Sequence, residues 1–412
     1  MSHPMPHQCG AASNDWTLDQ PRAATYSALN VAMVSTHAPR ECGIATFTTD
    51  LADAVTRLDP SVHATWAAID EGLPLRAYGP EVRWRICQGE PDTYRQVAVA
   101  INESDIDVVS LQHEFGLYGR WGETFEDHLP AFLRTLRKPL ITTFHTVLPA
   151  PSPSVLAAVR RLSDRSDATV VMTERAREIL ERAYGLDPAT LRVIPHGAPV
   201  VTSADRDVMK AHLGLRGRSV ITTFGLVDPR KGLEYMIEAM AEVALRHPDA
   251  VYLVLGKTHP ELVRRSGEGY RNGLVGLVRA RGLSEQVVFV DRFLSQAEIL
   301  DYLTASDIYV TPYLDPDQIT SGTLSYALGA GKAIVSTRYA HAAEALAERR
   351  GVLVGFHNAH ELADAVTMIL ECDALKEELE QNARAYGSQM TWQRVAELVT
   401  ELYRSVAHLR PE

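Results

Sequence analysis

From Tyr26 onward the chain alternates short β-branched runs with stretches whose apolar residues recur three and four positions apart, the pattern of strand and helix in turn. The first series of predicted strands is NVAMVST (30–36), HATWAAID, VRWRI, DVVSLQ, PLITTF, ATVVMT and LRVI, most of them followed by helix-like segments. Their near-continuous apolarity suits strands covered on both faces, so these βαβ units predict a parallel sheet between helical layers. After the polar stretch 202–218 the pattern repeats with SVITTF, AVYLVLG, QVVFV, DIYVTP, AIVST and GVLV. Two α/β domains follow, 25–205 and 206–390, with the seam near 199–215. In the closing segment TWQRVAELVTELYRSVAHL, Trp392, Val395, Leu398, Val399, Leu402, Tyr403 and Val406 fall on one helical stripe, and no strand comes after it.

At 412 residues the chain exceeds what one hydrophobic core ordinarily organises, which agrees with two domains and the cleft they imply. Apolar residues make up 46% and charged residues 23%, the balance of a packed globular protein. A net charge of −11 and the lack of a Lys/Arg run argue against nucleic acid as a partner. Four cysteines without C-x-x-C or metal-ligand spacing predict free thiols and a cytoplasmic setting. The His-, Pro-, Ser- and Gln-rich stretch 1–24 reads as a loose tail. No apolar run reaches membrane-spanning length, which leaves at most a peripheral membrane contact.

Three strand-to-helix junctions carry candidate chemistry. In STHAPRECGIATFTTDLADAV, Gly43 opens a helix whose free amides could hold an anion, or it simply serves a tight turn. In TFGLVDPRKGLEYMIEAM, Arg230 and Lys231 stand between a strand and a helix, where two cations would face a phosphate; solvated surface charges are the alternative. In DPDQITSGTLSYALGAGKAIVST, Gln318, Thr320, Ser321, Gly322 and Thr323 could read sugar and phosphate at a helix N-terminus, although Ser321 or Thr323 would equally be an ordinary cap. Asp315 and Asp317 make an Asp-x-Asp pair that is common by chance, and no metal or other cofactor is expected. His145 closes the strand PLITTF, and His113 with Glu114 closes DVVSLQ. Each is a polar ligand candidate or a core histidine satisfied by backbone. In GLYGRWGETF (116–125), Tyr118, Arg120 and Trp121 could serve an acceptor sugar or merely cap the sheet.

Together these segments resemble the family-four retaining glycosyltransferases of GT-B fold, over roughly 26–409. The likeness rests on the glycine loop at Gly43, His145, VIPHGAP (193–199) against the family's VIPNGVD, PRKGLEYMIEAM, SYALGAGKAIVST and the final helix, which resembles the one that crosses back to the first domain. It implies two Rossmann-like domains with parallel sheets facing across a cleft, and a segment 391–412 returning to the first domain. It further implies a nucleotide-sugar donor on the second domain and a carbohydrate or other hydroxyl acceptor on the first. Lys231, and Arg230 as a substitute cation, would neutralise the donor phosphates. His145 would contact the sugar near the reacting carbon, and transfer would retain configuration without a metal.

Three motifs depart from the family pattern. The paired glutamates read Gln318 and Tyr326, the Gly-Arg pair reads Gly225-Leu226, and the Gly-Gly loop reads Cys42-Gly43. These leave Gly43, Gln318, Thr320, Ser321, Gly322, Thr323 and Tyr326 as donor-binding candidates. His113, Glu114 and Arg120 remain as acceptor-binding candidates. The expected activity is hexose transfer from a nucleotide sugar; a phosphorylase using a sugar-phosphate donor and a non-catalytic glycan-binding module are the alternatives.

Overall fold

The computed structural model describes residues 27–72, 76–122, 124–201 and 205–407. The expected tail, 1–24, lies outside them. In the first domain the strands are β1 (Leu29–Ser35), β2 (Val62–Asp70), β3 (Val82–Cys87), β4 (Val108–His113), the two-residue pair β5 (Gly119–Arg120) and β6 (Glu126–Asp127), β7 (Leu140–Phe144), β8 (Ala168–Val171) and β9 (Leu191–Val193). Seven of them form a parallel sheet in the order β3-β2-β1-β4-β7-β8-β9. The second domain carries β10 (Ser219–Phe224), β11 (Ala250–Leu255), β12 (Val287–Val290), β13 (Ile308–Thr311), β14 (Ala333–Thr337) and β15 (Val352–Val354). They are also all parallel, in the order β12-β11-β10-β13-β14-β15. The two-domain α/β expectation therefore holds.

Each sheet reverses its winding once, between β1 and β4 and between β10 and β13. At such a switch point the loops after the two strands diverge to opposite faces and leave a crevice at their carboxyl ends. That topology selects the segments after Ser35, His113, Phe224 and Thr311 as the lining of the cleft. All but the β13 loop had drawn interest from their chemistry alone; there the chemistry pointed a few residues further on, to Gln318–Thr323.

The final helix, Trp392–Ala407, lies on the first domain. Its Val395, Val399, Tyr403 and Val406 share a buried cluster with Phe47, Leu51 and Val55 of the helix Gly43–Leu58. Two polar contacts fix its register, Tyr403 to the Ser110 hydroxyl at 3.0 Å and Arg404 to Asp59 at 2.6 Å. The two chain crossings between domains are zipped together: the Ala198 amide donates to the Met390 carbonyl (2.7 Å), and the Trp392 amide to the Ala198 carbonyl (3.0 Å). A side chain at Gly197 would place its Cβ 2.1 Å from the Trp392 ring, so the glycine of VIPHGAP makes room for this junction.

Polar contacts also span the cleft. The Glu344 carboxylate receives the Glu174 and Arg175 amides at 2.9 and 3.0 Å, capping a first-domain helix from the second domain. Lys257 pairs with Glu41, and Arg264 reaches Glu71 at 3.3 Å.

Candidate active site

The second-domain half of the site begins where β10 ends. Gly225 adopts φ +117°, and a Cβ there would come within 3.0 Å of Lys231 Nζ and 3.3 Å of the Thr323 side chain. Glycine is needed both for that backbone and for the close approach. Lys231 Nζ donates to the Tyr313 hydroxyl at 2.9 Å and lies 4.6 Å from the centre of its ring. The Tyr313 hydroxyl meets Thr323 Oγ1 at 2.7 Å, and Thr323 meets Ser321 Oγ at 3.2 Å. One cation is thus braced against the first turn of the helix Gly322–Gly329.

Ser321 is that helix's N-cap, accepting from the Leu324 amide at 3.3 Å, and its own amide donates to His341 Nδ1 at 2.8 Å. Capping and site-building are therefore compatible here. The Gly322 and Thr323 amides have no hydrogen-bond partner among the described residues. They lie beside Lys231 at the positive end of the helix dipole, the arrangement that stabilises an anion.

The other second-domain candidates are placed differently. Arg230 turns its guanidinium onto Asp228, with contacts of 2.9 and 3.3 Å, and its side chain is 73% exposed. It stands outside the Lys231 network. Gln318 folds back on the Thr320 carbonyl at 3.2 Å, while the Thr320 hydroxyl is buried without a partner. Tyr326 is buried and donates its hydroxyl across the cleft to Asp50 at 2.8 Å.

On the first-domain side, Gly43 opens its helix without a left-handed φ, and a Cβ there would meet nothing within 4 Å. Neither the backbone nor the surroundings of this position therefore require glycine. Cys42 caps that helix through its sulfur, 3.4 Å from the Ala45 amide.

His145 is buried at the end of β7, its Nε2 2.9 Å from the Gln112 side-chain oxygen and its ring edge-on to Phe47 at 4.8 Å. Donation from Nε2 makes Nδ1 an acceptor. Burial, with the nearby His196 and His113, lowers its pKa to about 3, so it works as a neutral hydrogen-bonding group. His113 sits among Phe115, Tyr118 and Phe144 and is likewise held at about 3 by burial, a place in the aromatic core. Glu114 accepts from the Thr146 hydroxyl (2.8 Å) and the Phe115 amide (2.9 Å). Burial nonetheless pushes its carboxyl up to about 7. Arg120 is exposed on the β5–β6 pair, 3.9 Å from Glu126. Trp121 beside it stacks on Phe115 at 4.7 Å and stays 42% exposed.

Four residues of the site escaped a sequence reading: His196, Tyr313, His341 and Asp50. His196 is close enough to Gly322 that a Cβ there would lie 2.7 Å from its Nε2, and its ring meets Phe47 at 5.0 Å. His341 holds the Ser321 amide. Their available signal was that all but Asp50 occur within a few residues of a strand's carboxyl end.

The model for glycosyl transferases group 1 matches residues 205–386, and that for Glycosyltransferase Family 4 matches 42–202. The chain belongs to the group 1 glycosyltransferases. Among its relatives, the D-inositol 3-phosphate glycosyltransferase of Rhodococcus erythropolis is 26% identical over 65% of this chain and 63% of its own length. The phosphatidyl-myo-inositol mannosyltransferase of Mycolicibacterium smegmatis is 25% identical over 82% of this chain and 80% of its own. The chain therefore spans a little under two thirds of the first of these. Solved structures with the same fold include the Thermosynechococcus elongatus sucrose-phosphate synthase (TM-score 0.74, 18% identity, 92% of this chain and 99% of that one). Anabaena HepE in complex with UDP and glucose is another (TM-score 0.70, 16% identity, 92% and 100%). These likenesses make the fold GT-B. Among the described residues no helix is long and apolar enough to cross a membrane.

Proposed function

We propose that this protein transfers a hexose from a nucleotide-sugar donor to a hydroxyl of a sugar, glycan or other acceptor, with retention of anomeric configuration and without a metal. The observation that carries this reading is the convergence of Lys231, the Gly225 turn and the free amides of Gly322 and Thr323. When the bond between the anomeric carbon and the phosphate oxygen breaks, negative charge gathers on the departing phosphate. A fixed cation and two aligned amides in a partly dehydrated cleft stabilise that charge more than they stabilise the bound donor. The acceptor hydroxyl attacks the carbon from the same face, and its proton passes to the departing phosphate oxygen. His145, neutral and an acceptor at Nδ1, suits a sugar hydroxyl contact rather than proton transfer. One protein of the same fold, Anabaena HepE, is named in complex with UDP and glucose, which supports a phosphate-bearing donor.

The test is incubation with panels of nucleotide sugars and, separately, sugar 1-phosphates, following thermal stabilisation and then release of nucleoside diphosphate or inorganic phosphate. Stabilisation by a nucleoside diphosphate and its release on transfer are expected. Response to sugar 1-phosphate or inorganic phosphate alone would replace this reading with a retaining phosphorylase.

A further inference from the structure

Two helices bring their N-termini to the cleft, Gly43–Leu58 from the first domain and Gly322–Gly329 from the second. They are also joined farther along their lengths. Asp50, two turns into the first, accepts at Oδ2 from the hydroxyl of Tyr326, one turn into the second, at 2.8 Å. Gln296 at the start of the helix Gln296–Ala305 donates to the same Oδ2 at 3.1 Å and to the Tyr326 hydroxyl at 3.0 Å. The three groups form a closed triangle with two members in one domain and the third in the other.

The Tyr326 ring belongs to the second domain's core, but Asp50 is not among the residues that the helix Gly43–Leu58 buries, and the three polar groups of the triangle meet only where the domains meet. Its members are polar, and the contact between domains of one chain is ordinarily one that opens and closes. A hydrogen bond to a charged group is strong enough to move a balance between open and closed forms by about ten- to a hundredfold.

We infer that Asp50 is a positioning residue which, through Tyr326 and Gln296, locks the cleft closed and so sets the spacing of the two helix N-termini across it. The role in turnover rests on the nucleotide-sugar reading; the role in closure does not.

The experiment uses the full chain and the variants D50A, D50N, Y326F and D50A/Y326F, with two readouts. Small-angle X-ray scattering in ligand-free buffer should give a larger radius of gyration for D50A and Y326F than for the unmodified protein. With a donor from the panel above, kcat should fall ten- to a hundredfold in D50A. D50N keeps an oxygen that accepts from Tyr326 and should recover to within about threefold. The double variant should be no worse than D50A, because both changes break one lock. Unchanged scattering in D50A and Y326F would overturn the lock, as would losses that multiply in the double variant or a D50N as impaired as D50A. An unmodified protein inactive with every nucleotide sugar would instead overturn the donor reading and leave the scattering result to decide the lock.

Discussion

The two sides of the cleft are built on different principles. On the second-domain side, proposed to hold the donor, the polar groups brace one another: Lys231 on Tyr313, Tyr313 on Thr323, Thr323 on Ser321, and Ser321 on His341. On the first-domain side, proposed to take the acceptor, the groups stand apart. His145 is held by Gln112 and Phe47, Glu114 by Thr146 and its neighbour's amide, and Arg120 and Trp121 lie on an exposed pair of short strands. The difference matches the chemistry proposed for each half. Charge developing on a phosphate is best met by donors already in place, whereas recognition of a particular acceptor is left to loops that can vary.

The largest break in this comparison should come from Lys231→Ala. Removing the one cation in the braced network should lower kcat by about 10²–10³-fold, as loss of a transition-state contact does. The melting temperature should move by no more than about 2 °C, a combination that steady-state kinetics and calorimetry would check. Arg230→Ala, which removes a guanidinium held by Asp228, should lose far less, and a loss equal to that of Lys231→Ala would contradict the assignment of roles.

Acid should act next. His113, His145 and His341 are held at about 3 and His196 at about 4, all chiefly by burial, against an ordinary value of 6.5. Above pH 6.5 they are neutral whether folded or unfolded and contribute no pH dependence. Below it the unfolded chain takes up protons that the folded one refuses, so stability falls as pH drops, by roughly 1.4 kcal/mol per pH unit for each histidine. Glu114 works in the opposite direction. Its raised pKa stabilises the fold below 4.5, and that contribution is lost as pH rises through about 7. The four histidines outweigh it, and urea denaturation between pH 7 and 5 should show a marked loss of stability.

A smaller effect is expected from Gly225→Ala. Its positive φ strains the new side chain and its Cβ crowds Lys231 and Thr323, so it should cost about 1–3 kcal/mol in unfolding free energy. It should also reduce turnover, whereas Gly43→Ala, with open space around the new methyl, should fold normally. The smallest change concerns the acceptor side. With Glu114 ionising near pH 7, the pH profile of kcat/KM for the acceptor should bend there. Glu114→Gln should flatten that bend, and a profile with no bend near 7 in the unmodified protein would remove Glu114 from acceptor recognition.

The fold was legible because buried parallel strands write themselves as unbroken apolar runs; SVITTF and AVYLVLG could hardly be anything else. The Lys231 and Gly322 segments stood out because a cation and small residues sit at strand-to-helix junctions, and the fold brings the two segments together. What stayed hidden depends on distance in space. Nothing local marks Asp50 as the partner of Tyr326, 276 residues away, or His341 as the acceptor for the Ser321 amide. Arg230 shows the converse. Its neighbourhood to Lys231 suggested a shared role, yet Asp228, two residues before it, claims its guanidinium. The short pair β5 and β6 was illegible because two residues per strand are too few to set a period.

The most direct test of the central claim is calorimetric titration of UDP and GDP into the unmodified protein and Lys231→Ala. At least one of the two should bind the unmodified protein, with affinity reduced at least tenfold in the variant. Equal binding to both proteins, or binding of inorganic phosphate alone, would contradict a nucleotide-sugar donor held at Lys231.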